Sequence, residues 1–210
     1  IGRVIVLDNG DIEAVSRQLN ALKAYHVQMK KLLEGGRVDE AIQVLDTHLL
    51  EGYERIQGLE LLLDAGYSDK MFACAREGMA KKRDSNVIGW MTDVCAKVNN
   101  LPELLYWQSQ QMKRFPTLRD YEDLKQTAMA LNQWEGLRQQ VINDVMSIER
   151  DDLLIQIYLG EEMWDLAWSS LSKLEPADGW YTQQQVPMDL AVAQASGQAR
   201  PAQAIPIYLK

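Results

Sequence analysis

The chain has two histidines and two cysteines, His26, His48, Cys74 and Cys95, and these are the residues first weighed for chemistry. A nucleophilic triad needs a base held against a serine or thiol and a third group to orient it. No sequence context places either histidine beside Cys74, Cys95 or a serine, so both are read as surface or half-buried helical residues. The cysteines stand 21 residues apart with no second pair, which excludes a four-cysteine zinc site. A mixed site with both histidines has no recognisable metal spacing. Asp120 with Asp123, and Glu161 with Asp165, have i,i+3 and i,i+4 spacing and are expected to share helix faces. Paired carboxylates of that kind can serve acid–base or metal chemistry, yet solvation and the helix dipole account for them more simply. The 13 glycines form neither GxGxxG nor GxxxxGK[ST], so no phosphate loop is read. Lys81-Lys82-Arg83, near Arg76, suits a helix C-terminus, and three charges hold phosphate weakly at physiological salt. The reading is of no catalytic residue, no metal ligand and no cofactor.

The elements that would carry any site are more legible. A polar or acidic hinge followed by an amphipathic run recurs at Val38-Asp39-Glu40-Ala41, Ser68-Asp69-Lys70-Met71, Leu101-Pro102-Glu103-Leu104, Gln133-Trp134-Glu135-Gly136, Met163-Trp164-Asp165-Leu166 and Arg200-Pro201-Ala202-Gln203. From Val38 to Asp69, Pro102, Trp134, Trp164 and Pro201 the steps are 31, 33, 32, 30 and 37 residues. One helix–turn–helix unit needs a period of about 34 residues. The expected fold is all-α, a right-handed tetratricopeptide-like solenoid of about six helical hairpins.

Residues 1–10 are expected to be a linker or the end of a preceding domain. Val4–Leu7 there reads as a short strand, closed by a turn at Asp8-Asn9-Gly10. Residues 11–210 form a single helical-repeat domain with a loop break at about 175–185, where Pro176, Gly179 and Gln183–Gln185 cluster. The first helix is expected over 11–34, with Val27, Met29 and Leu33 among its apolar positions and Gly35-Gly36 as its C-cap. Gly66 ends the helix at 53–65, Asn86 caps one at 87–99, Pro102 opens another and Thr117 caps the next. Trp134 and Trp164 take equivalent places and are read as packing between repeats. Trp107 and Trp168 also read as core, and Trp180 as exposed.

Composition bounds the partners. Residues 1–150 hold 19 Lys/Arg against 22 Asp/Glu, whereas residues 151–210 hold 3 against 8, a net of −5. An acidic balance without a basic stripe argues against a nucleic-acid footprint and against anionic membrane surfaces. No apolar run approaches the length of a membrane-spanning helix and no leader is read at the start. The chain begins at Ile1 and is read as a piece of a longer protein. Two cysteines in apolar helical patterns point to a reducing compartment, and a cytoplasmic location is expected.

Phe115-Pro116-Thr117-Leu118, Tyr121, Leu124, Trp134-Glu135-Gly136-Leu137-Arg138, Asp152-Leu153-Leu154 and Ala167-Trp168 occur in an order that resembles the helical region of bacterial SWIM zinc-finger proteins. The likeness covers about 60 residues. It implies helical hairpins that accompany a zinc finger used for protein or DNA contacts. The family's CxCx(n)CxH motif is absent from this chain, so no zinc ligand carries over.

The functional expectation is a non-catalytic scaffold that binds another protein or peptide. Lys97, Lys125, Gln126 and Gln156, polar positions on the first helices of successive pairs, are the expected groove residues. The alternatives are a nucleic-acid-associated solenoid, and a helical support for a zinc finger or enzyme elsewhere in a longer chain.

Overall fold

The computed structural model describes residues 9–50, 52–82, 85–114, 116–173 and 182–209. Twelve helices and no strand are found among them: α1 (Asn9–Glu34), α2 (Val38–His48), α3 (Gly52–Asp64), α4 (Ser68–Lys82), α5 (Ser85–Lys97), α6 (Leu101–Met112), α7 (Leu118–Ala130), α8 (Trp134–Met146), α9 (Asp151–Gly160), α10 (Trp164–Leu171), α11 (Thr182–Ser196) and α12 (Pro201–Tyr208). The chain is all-α, as its periodicity requires. Val4–Leu7, Arg83, Phe115 and Trp180 lie outside the described residues.

The helices pair through one repeated turn. Gly36, Gly66, Asn99, Asn132 and Glu162 all have left-handed backbone, with φ between 53° and 84°. Each stands between the two helices of a pair. The amide after each donates to the carbonyl five residues back: Arg37 to Leu32, Tyr67 to Leu62, Asn100 to Cys95, Gln133 to Ala128 and Met163 to Tyr158, all at 2.8–2.9 Å. The amide of the left-handed residue itself donates three residues back, as Gly66 does to Leu63 at 2.9 Å. These two bonds are the Schellman closure of a helix C-terminus, and they satisfy carbonyls that would otherwise lack partners. The true period, read between left-handed residues, is therefore 30, 33, 33 and 30 residues. The sixth pair closes differently, with the Arg200 amide bonded to Ser196 O at 2.7 Å.

The structure divides into two units, residues 1–94 and 95–210. In the first, α1 packs on α2 and α3, and α4 packs on α2 and α3. Met29, Leu45, Leu59, Leu62 and Met71 are fully buried there. Gly58 makes the crossing possible, because a Cβ in its place would lie 2.5 Å from Leu45 Cδ1 and 3.3 Å from Leu49 Cδ1. The buried Arg55 ties α3 to its neighbours: its Nη2 donates to Cys74 O at 2.7 Å and to Asp46 Oδ1 at 3.1 Å. Gly78 leaves room for that guanidinium, since a Cβ there would lie 2.4 Å from Nε.

In the second unit α6 packs on α7 and α8, α7 and α8 on α9, α9 on α10 and α11, and α11 on α10 and α12. Each helix thus meets the next along the chain, and α6, α7 and α9 also meet the helix two places on. Leu124, Ala128, Val145, Ile155, Ile157 and Ala167 are fully buried in this core. A reciprocal capping box opens α7, with Asp120 N–H donating to Thr117 Oγ1 at 3.2 Å and Thr117 N–H to Asp120 Oδ2 at 2.9 Å.

Several expectations need correction. Val27 is 56% exposed, because it lies on the side of α1 opposite the buried Met29–Leu33 stripe. Asn9 and Gly10 are helical residues of α1, so no turn stands there. Ser85 opens α5, which leaves Asn86 inside the helix and not at its cap. Gln183–Gln185 are helical, since α11 begins at Thr182. Glutamine is a good helix former, and its polarity misled the reading of a loop. Glu161 and Asp165 share no helix, because α9 ends at Gly160 and α10 begins at Trp164.

Three substitutions test this account. A glutamate held at φ 57° carries steric strain that glycine lacks. Glu162→Gly is expected to stabilise the protein by up to about 1 kcal/mol and Gly66→Ala to destabilise it by about the same. Gly58→Ala is expected to cost about 1–3 kcal/mol through overpacking of Leu45. Urea unfolding of the three variants reads all of these; Glu162→Gly falling below wild type would contradict the strain argument.

Candidate functional site

A polar cluster of the second unit lies where α7, α8 and α9 meet. Glu161, the residue that follows α9, has a side chain only 6% exposed. Its Oε1 accepts from Lys125 Nζ of α7 at 2.5 Å, and its Oε2 pairs with Arg138 Nη2 of α8 at 2.9 Å. Trp134, at the start of α8, packs edge-to-face with Tyr121 of α7, ring centroids 5.6 Å apart, and the Lys125 ammonium stands 5.8 Å from its ring centre. One carboxylate and one indole thus hold three helices.

The local sequence explains how Glu161 arrives there. It stands immediately before the left-handed Glu162, where the other hairpins have Gly35, Ala65, Val98 and Leu131. An acid in a register otherwise small or apolar was the available signal, and it shows only once the turns are aligned.

Burial opposes ionisation of Glu161, but the Lys125 hydrogen bond, the adjacent Tyr121 hydroxyl and the charges of Lys125 and Arg138 outweigh it, and its carboxyl titrates below the ordinary range. Burial, and then the neighbouring Glu161, push Tyr121 far above the usual phenol range. The Tyr121 hydroxyl and Arg138 Nε are buried and find no hydrogen-bond partner of good geometry among the described residues. A charged acid held this firmly is a poor base at neutral pH, and a phenol kept protonated is a poor nucleophile. The cluster holds helices together.

Elsewhere chemistry is equally muted. Cys74 and Cys95 are both buried. Burial, then Asp46, pushes the Cys74 thiol up to about 11. The His26 ring lies against Glu54 O, with Nε2 at 3.1 Å, and His48 stacks on Tyr25 at 3.8 Å. Among the described residues no group of three or more His, Cys, Asp and Glu is arranged to hold a metal. Asp123 stands 3.7 Å from Arg119, and Asp120 caps its own helix. In the first unit a groove of about 700 Å³ runs between α1 and α2, past Val27, Leu32, Val44 and the rim residues Lys31 and Gln43.

The four expected groove residues fall into different registers. Lys97 is exposed on the last turn of α5, two residues before Asn99. Lys125 is half-buried and committed to Glu161. Gln126 is exposed on α7 and Gln156 half-buried on α9, and each lies six residues before its left-handed turn residue. Gln156 Nε2 donates to Asp152 O at 3.2 Å, which leaves its amide oxygen available. The structure therefore sets Gln126 and Gln156 at one position of successive hairpins and separates Lys97 and Lys125 from them.

No protein-family model, no curated protein and no solved structure matches the chain.

Glu161→Gln is expected to lower stability at pH 7 by about 1–3 kcal/mol, the loss of a charge-assisted bond set whose two cations still reach water. A lowered carboxyl contributes fully above its ordinary value and loses that contribution as pH falls through the lowered one. The gap between wild type and Glu161→Gln should thus hold from pH 7 to about 5 and close below about pH 4 in urea melts. A gap unchanged at pH 3 would refute the ionic role.

Proposed function

We propose that the chain is a non-catalytic protein-interaction scaffold, a right-handed tetratricopeptide-like solenoid whose first helices take up a segment of another protein. The observation that carries this reading is the identical left-handed closure of five helical pairs. In unit 2, first helices also meet first helices of the next pair, α7 with α9 and α9 with α11. Stacked pairs present ridges of successive first helices as one continuous binding surface. Glu161, with Lys125 and Arg138, serves packing between helices, and the acidic balance disfavours phosphate backbones as partners. Among the described residues no helix is long and apolar enough to cross a membrane. A cytoplasmic scaffold fits this reading, as does helical support for a zinc finger carried elsewhere in a longer chain.

Capture from source-cell lysate with this chain as bait, with and without nuclease and read by mass spectrometry, tests the proposal. A stoichiometric protein that survives nuclease is the expected result. Partners lost on nuclease treatment would overturn it in favour of a nucleic-acid-associated solenoid.

A further inference from the structure

The first-helix face of α7 and α9 is striped in a way that specifies an occupant. Aligned on Asn132 and Glu162, the two helices carry like residues at several positions of one face. Ten positions before the turn stand two acids, Glu122 and Asp152, and six before it the two amides, Gln126 and Gln156. Three before it stand Met129, 56% exposed, and the half-buried Leu159. Two before it are Ala130 and Gly160, the latter with open space where a side chain would begin. Spacings of three and four place these residues on one side of each helix. α7 packs directly on α9, so each kind of residue stands at one register of two neighbouring helices.

We infer that this face binds an extended, basic segment of another protein, with the Gln126 and Gln156 amides gripping its backbone and the Met129–Leu159 row taking an apolar side chain. The inference rests on the scaffold reading and adds the surface and the chemistry of the partner. A carboxamide carries both donor and acceptor and so matches a peptide group, whatever the side chain. Packed helices lie about 8–10 Å apart, which is about three residues of extended chain at about 3.3 Å each. Two amides in one register thus meet two peptide groups about three residues apart. Small residues at Ala130 and Gly160 allow a backbone to approach closely. An amphipathic helix would instead need apolar anchors over several turns, and this face offers a single apolar row beside an amide row. The charge of the occupant follows from the surroundings. Residues 95–210 carry 10 Lys/Arg against 15 Asp/Glu. Arg150 already holds Asp152 through two bonds of 2.8 Å, so Glu122 is the acid that meets an incoming cation.

The test is selection of a random 12-residue phage-displayed library on the immobilised whole chain, followed by fluorescence polarisation with the selected peptides. Enrichment of Lys or Arg beside an apolar residue is expected. Affinity should fall at least tenfold for the Gln126→Ala/Gln156→Ala double variant and for Glu122→Lys, with unfolding curves matching wild type. N-methylation of the peptide backbone should be harmful at two bonds about three residues apart and tolerated between them. Peptides that bind these variants as tightly as wild type, or that lose affinity wherever they are N-methylated, as helix formation would require, overturn the inference and leave the scaffold reading intact. Failure of the library together with failure of lysate capture overturns both.

Discussion

A helix that ends must satisfy its last carbonyls, and in this protein the way it does so governs everything downstream. The Schellman closure turns the chain through one left-handed residue and two hydrogen bonds. It fixes where the second helix begins, so that five residues after the left-handed one Ala41, Met71, Leu104 and Ala167 are buried and Leu137 is half-buried. Packing of neighbouring helices then follows from a local constraint of five or six residues. Where that closure is abandoned, at the α11–α12 connection, a sidechain network takes over: Trp168 Nε1 donates to Ser196 Oγ at 3.0 Å, and Arg200 makes a two-pronged pair with Asp165 at 2.7–2.8 Å.

The buried charges act on a second level. Arg55 in the first unit and Glu161 in the second each bring a single ionic group to a junction of three elements. A hydrophobic contact tolerates sliding, whereas a guanidinium or carboxylate with fixed partners does not. Both sites specify how helices sit against one another more than they add to stability. The same commitment removes Lys125 from the pool of groups that could meet a partner.

Much of this was legible in the sequence. The helical period, the Gly36 and Gly66 caps and the Thr117 cap all rest on local rules visible residue by residue, and Pro102 does stand in a first turn, although that helix begins one residue earlier at Leu101 under an Asn100 cap. The left-handed roles of Asn99 and Asn132 are only weakly signalled, since asparagine favours that region but is common elsewhere, and that of Glu162 is not signalled at all. Asp69 and Pro102 stand three residues after their left-handed residues, whereas Val38, Trp134 and Trp164 stand two after theirs, so hinge residues mark the repeat only to within one position. The i,i+4 spacing of Glu161 and Asp165 suggests one helix face, but a turn separates the two residues. Lys125 and Arg138, the true partners of Glu161, stand 36 and 23 residues back in the chain, and only tertiary packing brings them near. Of the four groove positions, the two glutamines share a register and the two lysines do not, a distinction that polarity alone does not make.

The uniform closure also dictates where this chain tolerates changes of length. An extra residue between Gly66 and Ser68 would turn α4 by about 100° and carry Met71 out of its core. The connections between hairpins face no such rule, and they differ already: three residues join α2 to α3, four join α8 to α9, and five join α6 to α7. Insertions and deletions should accumulate in those joints. Within the five hairpins that share the left-handed closure the connection is three residues long every time, whereas the helices it joins vary in length, so growth or loss is confined to the far ends of the helices and to the joints.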